Sequence, residues 1–531
     1  MNAIRRALTI RAALAAVLAC LLPVTMAAHA QVQADIIVNP DSESMTGARL
    51  GEVVAEATEA FYQNQALKAA LDSEITRVCE SVPAVDYATE DREFYVLTHA
   101  GKSMRFFMDT IGQPDENGRY PLYITLHGGG GAPAEGNNDQ WIDMFNYYRG
   151  VVENGIYIAC RGITDTWDLH FQKDSYPLYD RLIEAMIVNY GADPDRVFLL
   201  GFSAGGDGVY QIAPRLADRF AAVNMSSGHP NGVSLLNLAN CPICLQAGIR
   251  DWYDEDVMRS VRAAEFEKTL SEYRNQYGFG YEHRVCIHVP NGHNFSDNAD
   301  DECTVLKDPT LFAGRAGEED MLSPLMDVLE DCGLGSDVGI LSYYPAGDDE
   351  EFDRKITQAV TERLGFETVQ VNANAVRYVS RFTREPAPAK LVWDLSTRAA
   401  EREKNGFYWL EADPSVDRGI ITAAYDAATN TITVEPDADV NGDFAVRFHP
   451  ALVDVSRPVI IKTGSIVRTV QVNPSAEFLR ASMLENGDPR LGCVGEIRYS
   501  DLMGSDSHHR CLISYMAAVM DGGVALSILF S

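Results

Sequence analysis

The feature that most constrains this chain is a five-residue segment, Gly201–Gly205, between a short apolar run and a helical pattern. Residues 196–200 predict a buried strand, and residues 206–213 predict the start of a helix. One glycine stands two positions before Ser203 and another two positions after it, so the segment reads G-x-S-x-G. A strand–turn–helix with this spacing lifts the serine hydroxyl clear of a sheet. We therefore predict that Ser203 is a nucleophile.

A glycine-rich loop lies upstream of this turn. Residues 120–126 predict a buried strand, which runs into His127–Gly131 with the sequence H-G-G-G-G. Loops of this kind bring backbone N–H groups to a developing oxyanion, and we expect the donors to be Gly129 or Gly130 together with Ala204. A nucleotide-binding loop is the alternative, but no G-x-G-x-x-G or G-K-[ST] pattern follows.

A candidate acid follows another predicted strand downstream, residues 241–248. Asp251 comes just after the end of this strand and its glycine, so we favour it as the acid that orients a catalytic base. Asp254 and Asp256 are close competitors. An acid that merely sits in a solvated loop is the other interpretation of Asp251.

The candidate base is a loop histidine. Residues 284–290 predict the last core strand, and His293 follows in a glycine-containing loop, which suits a mobile general base. His288 lies within the strand, where a buried and hydrogen-bonded imidazole is the more common state. His229 is also in a loop, but it precedes the acid and so breaks the chain order serine, aspartate, histidine.

With these residues in this order, the chain resembles the α/β-hydrolase superfamily. It looks closest to the secreted bacterial branch that includes feruloyl and acetyl esterases and poly(3-hydroxybutyrate) depolymerase-like proteins. The resemblance covers roughly residues 90–300 and rests on His127–Gly131, Gly201–Gly205, Gly248–Asp251 and Gly292–His293. It implies a mostly parallel sheet flanked by helices, in which Ser203 is the nucleophile, His293 the base and Asp251 the orienting acid. No cofactor and no metal are expected.

Changes in pattern along the chain predict several regions. Strands and helices alternate up to about residue 300, which indicates a parallel α/β sheet, and short strands separated by turns indicate a C-terminal β-rich, sandwich-like domain. We expect a polar, flexible segment at 31–45 and helices over 47–83. The predicted regions are a signal peptide at 1–30, an N-terminal helical extension at 31–90, a catalytic domain at 91–304, a helical brace at 305–385, a β-sandwich-like domain at 386–470 and a mixed tail at 471–531.

The N-terminus has the pattern of an export signal. Arg5, Arg6 and Arg11 precede an uncharged apolar run that ends in A-x-A before Gln31. The run is interrupted by a proline, and no later stretch is long and apolar enough for a membrane span. We therefore expect a periplasmic or extracellular protein, with a lipoprotein anchored through Cys20 as the alternative.

The charge of the chain limits its partners. Its 44 Lys and Arg residues against 76 Asp and Glu residues give a formal net charge of −32. Such a charge argues against nucleic acid or an anionic membrane surface as a partner. A strongly anionic substrate would also be repelled unless its pocket contains local Arg or Lys.

The ten cysteines allow disulfides in an exported protein, although one of them lies in the predicted signal. Cys303 with Cys332, and Cys493 with Cys511, are plausible local pairs. The odd number left after removal of the signal leaves at least one thiol unpaired.

An acidic segment in the β-rich region imitates a calcium loop. Residues 437–443 read D-A-D-V-N-G-D, but Phe448 stands at the twelfth position, where a calcium loop needs a bidentate glutamate. The flanking residues predict strands and not helices. A polar hairpin turn is therefore the expected structure.

These patterns together predict an exported serine hydrolase that cleaves a small-molecule or polymer-linked ester through an acyl-enzyme. The residues that we expect around the substrate are Trp141, Trp167, Asp168 and His229. The tryptophans could equally pack beneath loops. A serine peptidase on the same fold and a non-catalytic polysaccharide-binding surface protein are the alternatives. The oligomeric state is not predicted by any pattern in the chain.

Overall fold

A computed structural model of the chain describes residues 34–43, 45, 47–252, 258–315, 321–347, 349–398 and 404–504. The predicted signal peptide with Cys20, the competing acids Asp254 and Asp256, and residues 505–531 of the predicted tail with Cys511 lie outside these described residues.

The described strands are β1 Ile36–Val38, β2 Ile75–Val82, β3 Glu90–His99, β4 Lys102–Ile111, β5 Tyr120–Leu126, β6 Gly155–Cys160, β7 Ala192–Phe202, β8 Ala222–Ser226, β9 Ile243–Gly248, β10 His283–His288, β11 Glu302–Leu306, β12 Thr368–Asn372, β13 Lys390–Asp394, β14 Gly406–Phe407, β15 Leu410–Ala412, β16 Ile420–Asp426, β17 Thr431–Pro436, β18 Phe444–Arg447, β19 Val459–Thr463, β20 Ile466–Val472 and β21 Glu496–Arg498.

The described α-helices are Gly47–Tyr62, Gln65–Glu74, Ala134–Tyr147, Ser175–Asn189, Ala204–Ile212, Arg259–Tyr277, Pro309–Gly314, Ser323–Asp331, Val338–Tyr343, Glu350–Gln358, Ala375–Val379, Ala476–Asn486 and Tyr499–Met503. Among these, no helix is both long enough and apolar enough to cross a membrane.

An eleven-stranded sheet forms the centre of the molecule, in the order β12-β11-β10-β9-β8-β7-β5-β6-β4-β3-β2. The six middle strands, from β10 to β6, are parallel, whereas the strands at both edges are antiparallel. The carboxyl ends of the parallel strands meet at one edge, where ligands bind in open α/β sheets. The predicted α/β-hydrolase fold class is confirmed, with antiparallel additions at both sides of the parallel core.

Both faces of this sheet are buried. In β5, Leu122 and Ile124 belong to one apolar cluster, while Tyr123 between them belongs to the other. Side chains that alternate along a strand point to opposite faces. The helix Ser175–Asn189 covers the first face, and the helix Ala134–Tyr147 covers the second. The sheet is therefore a middle layer between helices, as a parallel sheet requires.

The C-terminal region contains a six-stranded sheet, β1-β20-β19-β17-β16-β13, and a four-stranded antiparallel sheet, β14-β15-β18-β21. The ring of Trp393 in β13 stacks on Phe407 in β14 at 5.3 Å between centroids. Buried residues of this region belong to the same apolar cluster as the first face of the central sheet. The predicted C-terminal β-rich region is therefore present, and its core is continuous with that of the central eleven-stranded sheet.

The N-terminal prediction was wrong in two places. Residues 36–38, expected to be flexible, form β1, which pairs with β20 more than 400 residues away. Residues 75–82, expected to be helical, form β2, which pairs with β3 over its entire length. Isoleucine, threonine and valine in this segment favour a strand, and the long-range pairing outweighs the helical spacing of the residues before it.

A tight hairpin connects β14 and β15, because Tyr408 adopts φ +56° and turns the chain there. The disulfide prediction differs from the structure. Cys303 and Cys332 are free thiols, so the predicted pair is not formed. Cys493 is also free and buried, and its predicted partner is outside the described residues.

Candidate active site

The turn at Ser203 has the strained geometry that its glycines allow. Ser203 follows β7 with φ +58° and ψ −122°, a conformation that non-glycine residues rarely adopt, and the helix Ala204–Ile212 begins directly after it. A Cβ on Gly201 would lie 2.1 Å from the carbonyl oxygen of Gly205, and one on Gly205 would lie 2.0 Å from that of Leu126. Neither position can therefore take a side chain while the turn keeps this shape.

A hydrogen-bond chain connects the three residues predicted as nucleophile, base and acid. His293 Nε2 lies 2.9 Å from Ser203 Oγ, and His293 Nδ1 lies 2.9 Å from Asp251 Oδ1. Asp251 follows β9 and His293 follows β10, so both reach the edge of the sheet where Ser203 stands. The carboxylate accepts, so the proton between the two lies on Nδ1, and Nε2 is free to accept from the serine.

Asp251 is completely buried, and its negative charge is balanced by its neighbours. Arg259 Nη1 lies 3.3 Å from Asp251 Oδ1, and the hydroxyl of Ser342 donates to the same oxygen at 3.3 Å. Burial alone would raise the pKa of this carboxyl. The opposite charge and hydrogen bond of His293, with the charge of Arg259, outweigh burial and hold the pKa below its usual value. The carboxylate is therefore ionised at neutral pH.

His288, the rival of His293, is a core residue. Its ring stacks on Phe295 at 4.2 Å between centroids, and its Nε2 lies 2.9 Å from the side-chain oxygen of Gln246. Burial lowers the pKa of His288 to about 3, so its ring is neutral. None of these contacts brings the His288 ring to Ser203.

The glycine-rich loop lies against the serine turn. A Cβ on Gly128 would come within 3.2 Å of the Cβ of Ser203, and one on Gly130 within 3.0 Å of the Cβ of Ala204. Gly129 and Gly130 have φ values of +98° and +73°. These conformations favour glycine and let the backbone come close to the nucleophile.

One of the predicted oxyanion donors is already used. The N–H of Gly130 donates to the side-chain oxygen of Asn137 at 3.0 Å. Gly130 is therefore corrected from donor to structural residue, and the N–H groups of Gly129 and Ala204 are the remaining candidates. The sequence could not show this, because Asn137 lies on the following helix and its direction depends on the packing of that helix.

Asn137 is in turn held by the loop that follows β6. Its side-chain nitrogen donates to Asp165 Oδ1 at 2.9 Å and to the carbonyl oxygen of Ala132 at 3.0 Å. Asp165 forms a close ion pair with Arg161. A buried arginine therefore fixes the loop of Gly130 through two intermediate side chains.

The residues predicted around the substrate separate into two groups. Trp141 is completely buried and donates its indole N–H to the carbonyl oxygen of Ala159 at 2.8 Å, so its assignment to the pocket was wrong. It packs on the apolar face of its helix, and the sequence does not show which face that is. Trp167, by contrast, is 57% exposed, and its backbone lies beside Gly130.

Asp168 and His229 lie in loops at the same edge of the sheet. The Asp168 carboxylate accepts a hydrogen bond from the hydroxyl of Thr166 at 2.7 Å. The backbone N–H of His229 donates to Asp207 Oδ1 at 2.6 Å, and its ring lies 2.9 Å from Asn231 Oδ1. Both polar side chains have local partners, and neither takes part in the chain from Ser203 to Asp251.

Sequence reasoning missed an acid next to the nucleophile. Asp207 lies one helical turn after Ser203, and its backbone N–H donates to the carbonyl oxygen of Ser203 at 3.0 Å. Burial raises the pKa of Asp207 to about 6, against the opposing effects of the His229 N–H and the charge of Arg259. The sequence signal for Asp207 was its position in the first turn of the helix that follows the nucleophile. Arg259 interacts electrostatically with both Asp207 and Asp251, but no pattern in the sequence marks it.

The acidic segment 437–443 forms the connection from β17 to β18. The carboxylate of Asp443 accepts hydrogen bonds from the backbone N–H and hydroxyl of Ser500, and Asp437 Oδ1 accepts one from the N–H of Asp439. Across the described ranges, no three His, Cys, Asp or Glu side chains are grouped so that they could hold a metal ion.

Comparisons with known proteins identify similar proteins over part of the chain. No family model matches. The bifunctional acetylxylan esterase/xylanase XynS20E of Neocallimastix patriciarum is 30% identical over 179 residues, which are 33% of this chain and 24% of that protein. The probable feruloyl esterase C of Aspergillus terreus is 30% identical over 118 residues, which are 22% of this chain and 42% of that protein. The chain thus spans less than half the length of both relatives.

Solved structures also align with part of the chain. A thermostable esterase superposes with a TM-score of 0.27 and 18% identity and covers 38% of this chain and 61% of its own. Est1E from Butyrivibrio proteoclasticus superposes with a TM-score of 0.24 and 14% identity over 38% of this chain and 90% of its own. The strand order described above is the basis for the fold class.

Proposed function

We propose that this protein is a serine-dependent carboxylic ester hydrolase with Ser203, His293 and Asp251 as its catalytic triad. The observation that carries the proposal is the hydrogen-bond chain from Ser203 Oγ through both nitrogens of His293 to Asp251 Oδ1, with 2.9 Å at each step. A nucleophile bonded to a base that is oriented by a third group is the arrangement used in covalent acyl transfer.

In the first step, Ser203 Oγ attacks the carbonyl carbon of the ester while His293 Nε2 takes the hydroxyl proton. A C–O bond forms to the serine, and the carbonyl π electrons move to the oxygen. The tetrahedral intermediate collapses when His293 returns the proton to the leaving alcohol, and an acyl-enzyme remains. Water then attacks the acyl group, with His293 as base, and releases the acid.

The positive charge that develops on His293 requires an ionised partner. Asp251 supplies it, because the interactions with His293 and Arg259 hold its pKa below the usual value despite burial. Its hydrogen bond to Nδ1 also keeps the imidazole in the tautomer whose Nε2 can accept a proton. Ser342 and Arg259 contact the same carboxylate oxygen as His293 and act as positioning residues.

The oxyanion is proposed to accept hydrogen bonds from the backbone N–H groups of Ala204 and Gly129. Donors that are fixed in place before the reaction lower the barrier by roughly 3 kcal/mol each. Asn137 keeps this loop in position, since it binds the N–H of the neighbouring Gly130. The loop would otherwise have to be ordered during the reaction.

An ester is favoured over a peptide bond because the two curated relatives are named as acetylxylan and feruloyl esterases. Trp167, whose backbone lies beside Gly130, is exposed, and its indole offers an apolar surface that would suit a sugar or an aromatic group. The proposal also includes export, which rests on the N-terminal pattern with Arg5, Arg6 and Arg11.

The experiment is a substrate panel for the purified protein, with acetyl, feruloyl, polyester and peptide substrates and with Ser203→Ala as the blank. Hydrolysis of an ester by the wild type but not by the variant is the expected result. Hydrolysis of peptides alone would identify a peptidase. Activity that persists in the variant, or its absence with every substrate while a polysaccharide still binds, would contradict the proposal.

A further inference from the structure

A cavity lies beside the loop that follows β6. It has a volume of about 320 Å³, and its lining includes Glu80, Phe94, Ser103, Arg105, Arg161 and Asp165. Phe94 provides an apolar wall, and the hydroxyls of Ser103 and Thr164 line the same space as the guanidinium of Arg105. The volume is at the lower end of the range for small-molecule sites, which suits one ring-sized group.

The two arginines in this cavity have different roles. Arg161 is buried and uses its N–H groups on Asn138 Oδ1 and on the carbonyl oxygens of Gly162 and Thr164, besides the ion pair with Asp165. It therefore builds the wall of the cavity and has little donor capacity left for a ligand.

Stacking holds Arg105 in place, and its guanidinium keeps N–H groups that can donate to a ligand. Its guanidinium lies over the rings of Trp141 and Phe94, at 5.3 Å and 5.9 Å from their centroids. Its hydrogen bond within the described residues is a long one, 3.5 Å from Nη2 to Asn138 Oδ1. Burial lowers the pKa of Arg105, and the charge of Arg161 adds to the effect, yet an arginine keeps its proton at neutral pH.

Two carboxylates line the same cavity and compete with an anion. Asp165 is already paired with Arg161 and accepts from Asn137, so its charge is largely compensated. Glu80 is exposed, and its charge, like that of Asp165, raises the pKa of Arg105, so both carboxylates act on this guanidinium. Unlike Arg161, however, Arg105 forms no close ion pair within the described part of the chain, and it is the cation of this cavity that is left to bind an anion, in a chain whose net charge is −32.

Hydrogen bonds connect the wall of the cavity to the loop of Gly130. The segment Arg161–Asp165 lines the cavity, and Asp165 binds Asn137, which holds the N–H of Gly130. Two residues further, the backbone of Trp167 lies beside Gly130. A substrate that extends past this loop would reach from Ser203 toward Arg105.

We propose that this cavity binds the carboxylate of a ring-sized group, an aromatic acid or a uronic acid, through Arg105. The planar guanidinium can donate two parallel hydrogen bonds to a carboxylate, and Phe94 would pack against the ring. We assign this group to the ester substrate itself, a step that rests on the proposed esterase function. The ester at Ser203 and the carboxylate at Arg105 would then belong to one molecule.

Calorimetric titration of the full chain tests the site without any turnover. The probes are benzoate for the aromatic source, glucuronate for the uronic source and glucose as the neutral reference. We expect one of the two carboxylates to bind at least about tenfold more tightly than glucose, the factor that corresponds to 1.4 kcal/mol. Whichever carboxylate binds identifies the source.

Variants connect binding to the charge of the cavity. Arg105→Gln should lower the affinity for the carboxylate by about tenfold or more. Glu80→Gln removes a competing negative charge at an exposed position and should raise it. Arg149→Gln removes an exposed arginine that pairs with Asp109 and should leave it at the wild-type value. The opposite signs at Arg105 and Glu80 keep the test valid even if Arg105→Gln proves unstable through lost stacking.

Kinetics test the assignment to the substrate. The ratio of kcat/KM for 4-acetoxybenzoate over phenyl acetate, or for an acetylated glucuronate over the acetylated neutral sugar, should exceed one in the wild type and fall in Arg105→Gln. Carboxylates that bind no better than glucose, or bind independently of Arg105, would overturn the site while ester hydrolysis could still stand. Arg105-dependent binding without any ester hydrolysis would instead overturn the proposed function.

Discussion

Arg384 Nη2 lies 2.8 Å from Asp488 Oδ2, and neither side chain is exposed to solvent. Asp488 lies in the C-terminal region. Its carboxylate also forms an ion pair at 3.3 Å with Arg219, which lies shortly before β8 of the central sheet. Arg384 makes a second ion pair with Asp195 at 2.8 Å. Burial would raise the pKa of Asp488, but the two arginines outweigh it and hold the pKa low. This buried carboxylate therefore joins the C-terminal region to the region of the central sheet.

The first prediction concerns this joint. Asp488→Asn keeps the shape of the side chain but removes one of two counter-ions from each of two buried guanidinium groups, since Arg384 keeps Asp195 and Arg219 keeps Asp180. A buried charge left with no partner costs about 3–5 kcal/mol, so we expect a loss below that range. We expect a lower melting temperature and a lower urea midpoint. Asp454→Asn is the matched control, because Asp454 pairs with Arg457 at the surface, where both side chains are 45% exposed and such a pair contributes about 0–1 kcal/mol. Equal losses in the two variants would contradict the role of the joint.

The second prediction concerns the nucleophile. Ser203 should react covalently with a fluorophosphonate probe, since its hydroxyl is hydrogen-bonded at 2.9 Å to His293 Nε2, which can take its proton. Ser203→Ala should abolish labelling and lower turnover by on the order of 10⁶, with an unchanged circular dichroism spectrum. Mass spectrometry locates the adduct, and an adduct on another serine would refute the assignment.

The third prediction concerns the acid. Asp251→Asn should lower kcat by about 10⁴, because an amide cannot keep the imidazole in the required tautomer. Asp254→Asn, at a position outside the described residues, should lose much less. The two kcat values decide between the candidates, and a reversed order would move the role of orienting acid to Asp254.

Local sequence carried most of the information about this site. Each of Ser203, Asp251 and His293 follows a buried strand, and parallel strands bring such positions to one edge of the sheet. The glycine spacing around Ser203 is required by contacts below 2.2 Å that a Cβ would make, so the pattern itself specifies the turn. The structure brings the three side chains together, and their catalytic roles remain predictions.

What the sequence could not show depends on distant contacts. β1 is specified by its pairing with β20, and the pairing of β2 with β3 outweighs the helical spacing of the residues before β2. The burial of Trp141 and the acceptor role of Asn137 both depend on how the helix Ala134–Tyr147 is rotated against the sheet. No local pattern specifies that rotation. The boundaries of the predicted domains also remain predictions, because the apolar core continues across them.

The fourth prediction concerns the support of the oxyanion loop. Asn137→Ala removes the acceptor of the Gly130 N–H and the donor to Asp165. We expect kcat to fall by roughly 10-fold to 100-fold with a smaller change in KM, because a loosened loop weakens binding of the transition state more than binding of the substrate. Asn146→Ala, at an exposed position on the same helix, is the control and should keep wild-type kinetics. A change in KM alone would argue against this role.

The last prediction concerns the pH dependence of stability through Asp207. Burial raises its pKa in the folded protein to about 6 from an ordinary value of 3.8, so between these values the folded state binds more protons than the unfolded state. Ionisation of Asp207 therefore costs stability as the pH rises through this window, and the full cost of about 3 kcal/mol applies above pH 6. Asp207→Asn removes this cost, and the amide oxygen can still accept from the N–H of His229. We expect the melting temperature of the variant to equal that of the wild type near pH 4 and to exceed it by a few degrees at pH 8.

Differential scanning calorimetry of the wild type and Asp207→Asn at pH 4, 5, 6, 7 and 8 gives the difference in melting temperature directly. A difference that is largest at pH 4, or a variant that is less stable at pH 8, would show that the carboxylate is stabilised by Arg259 more strongly than it is penalised by burial.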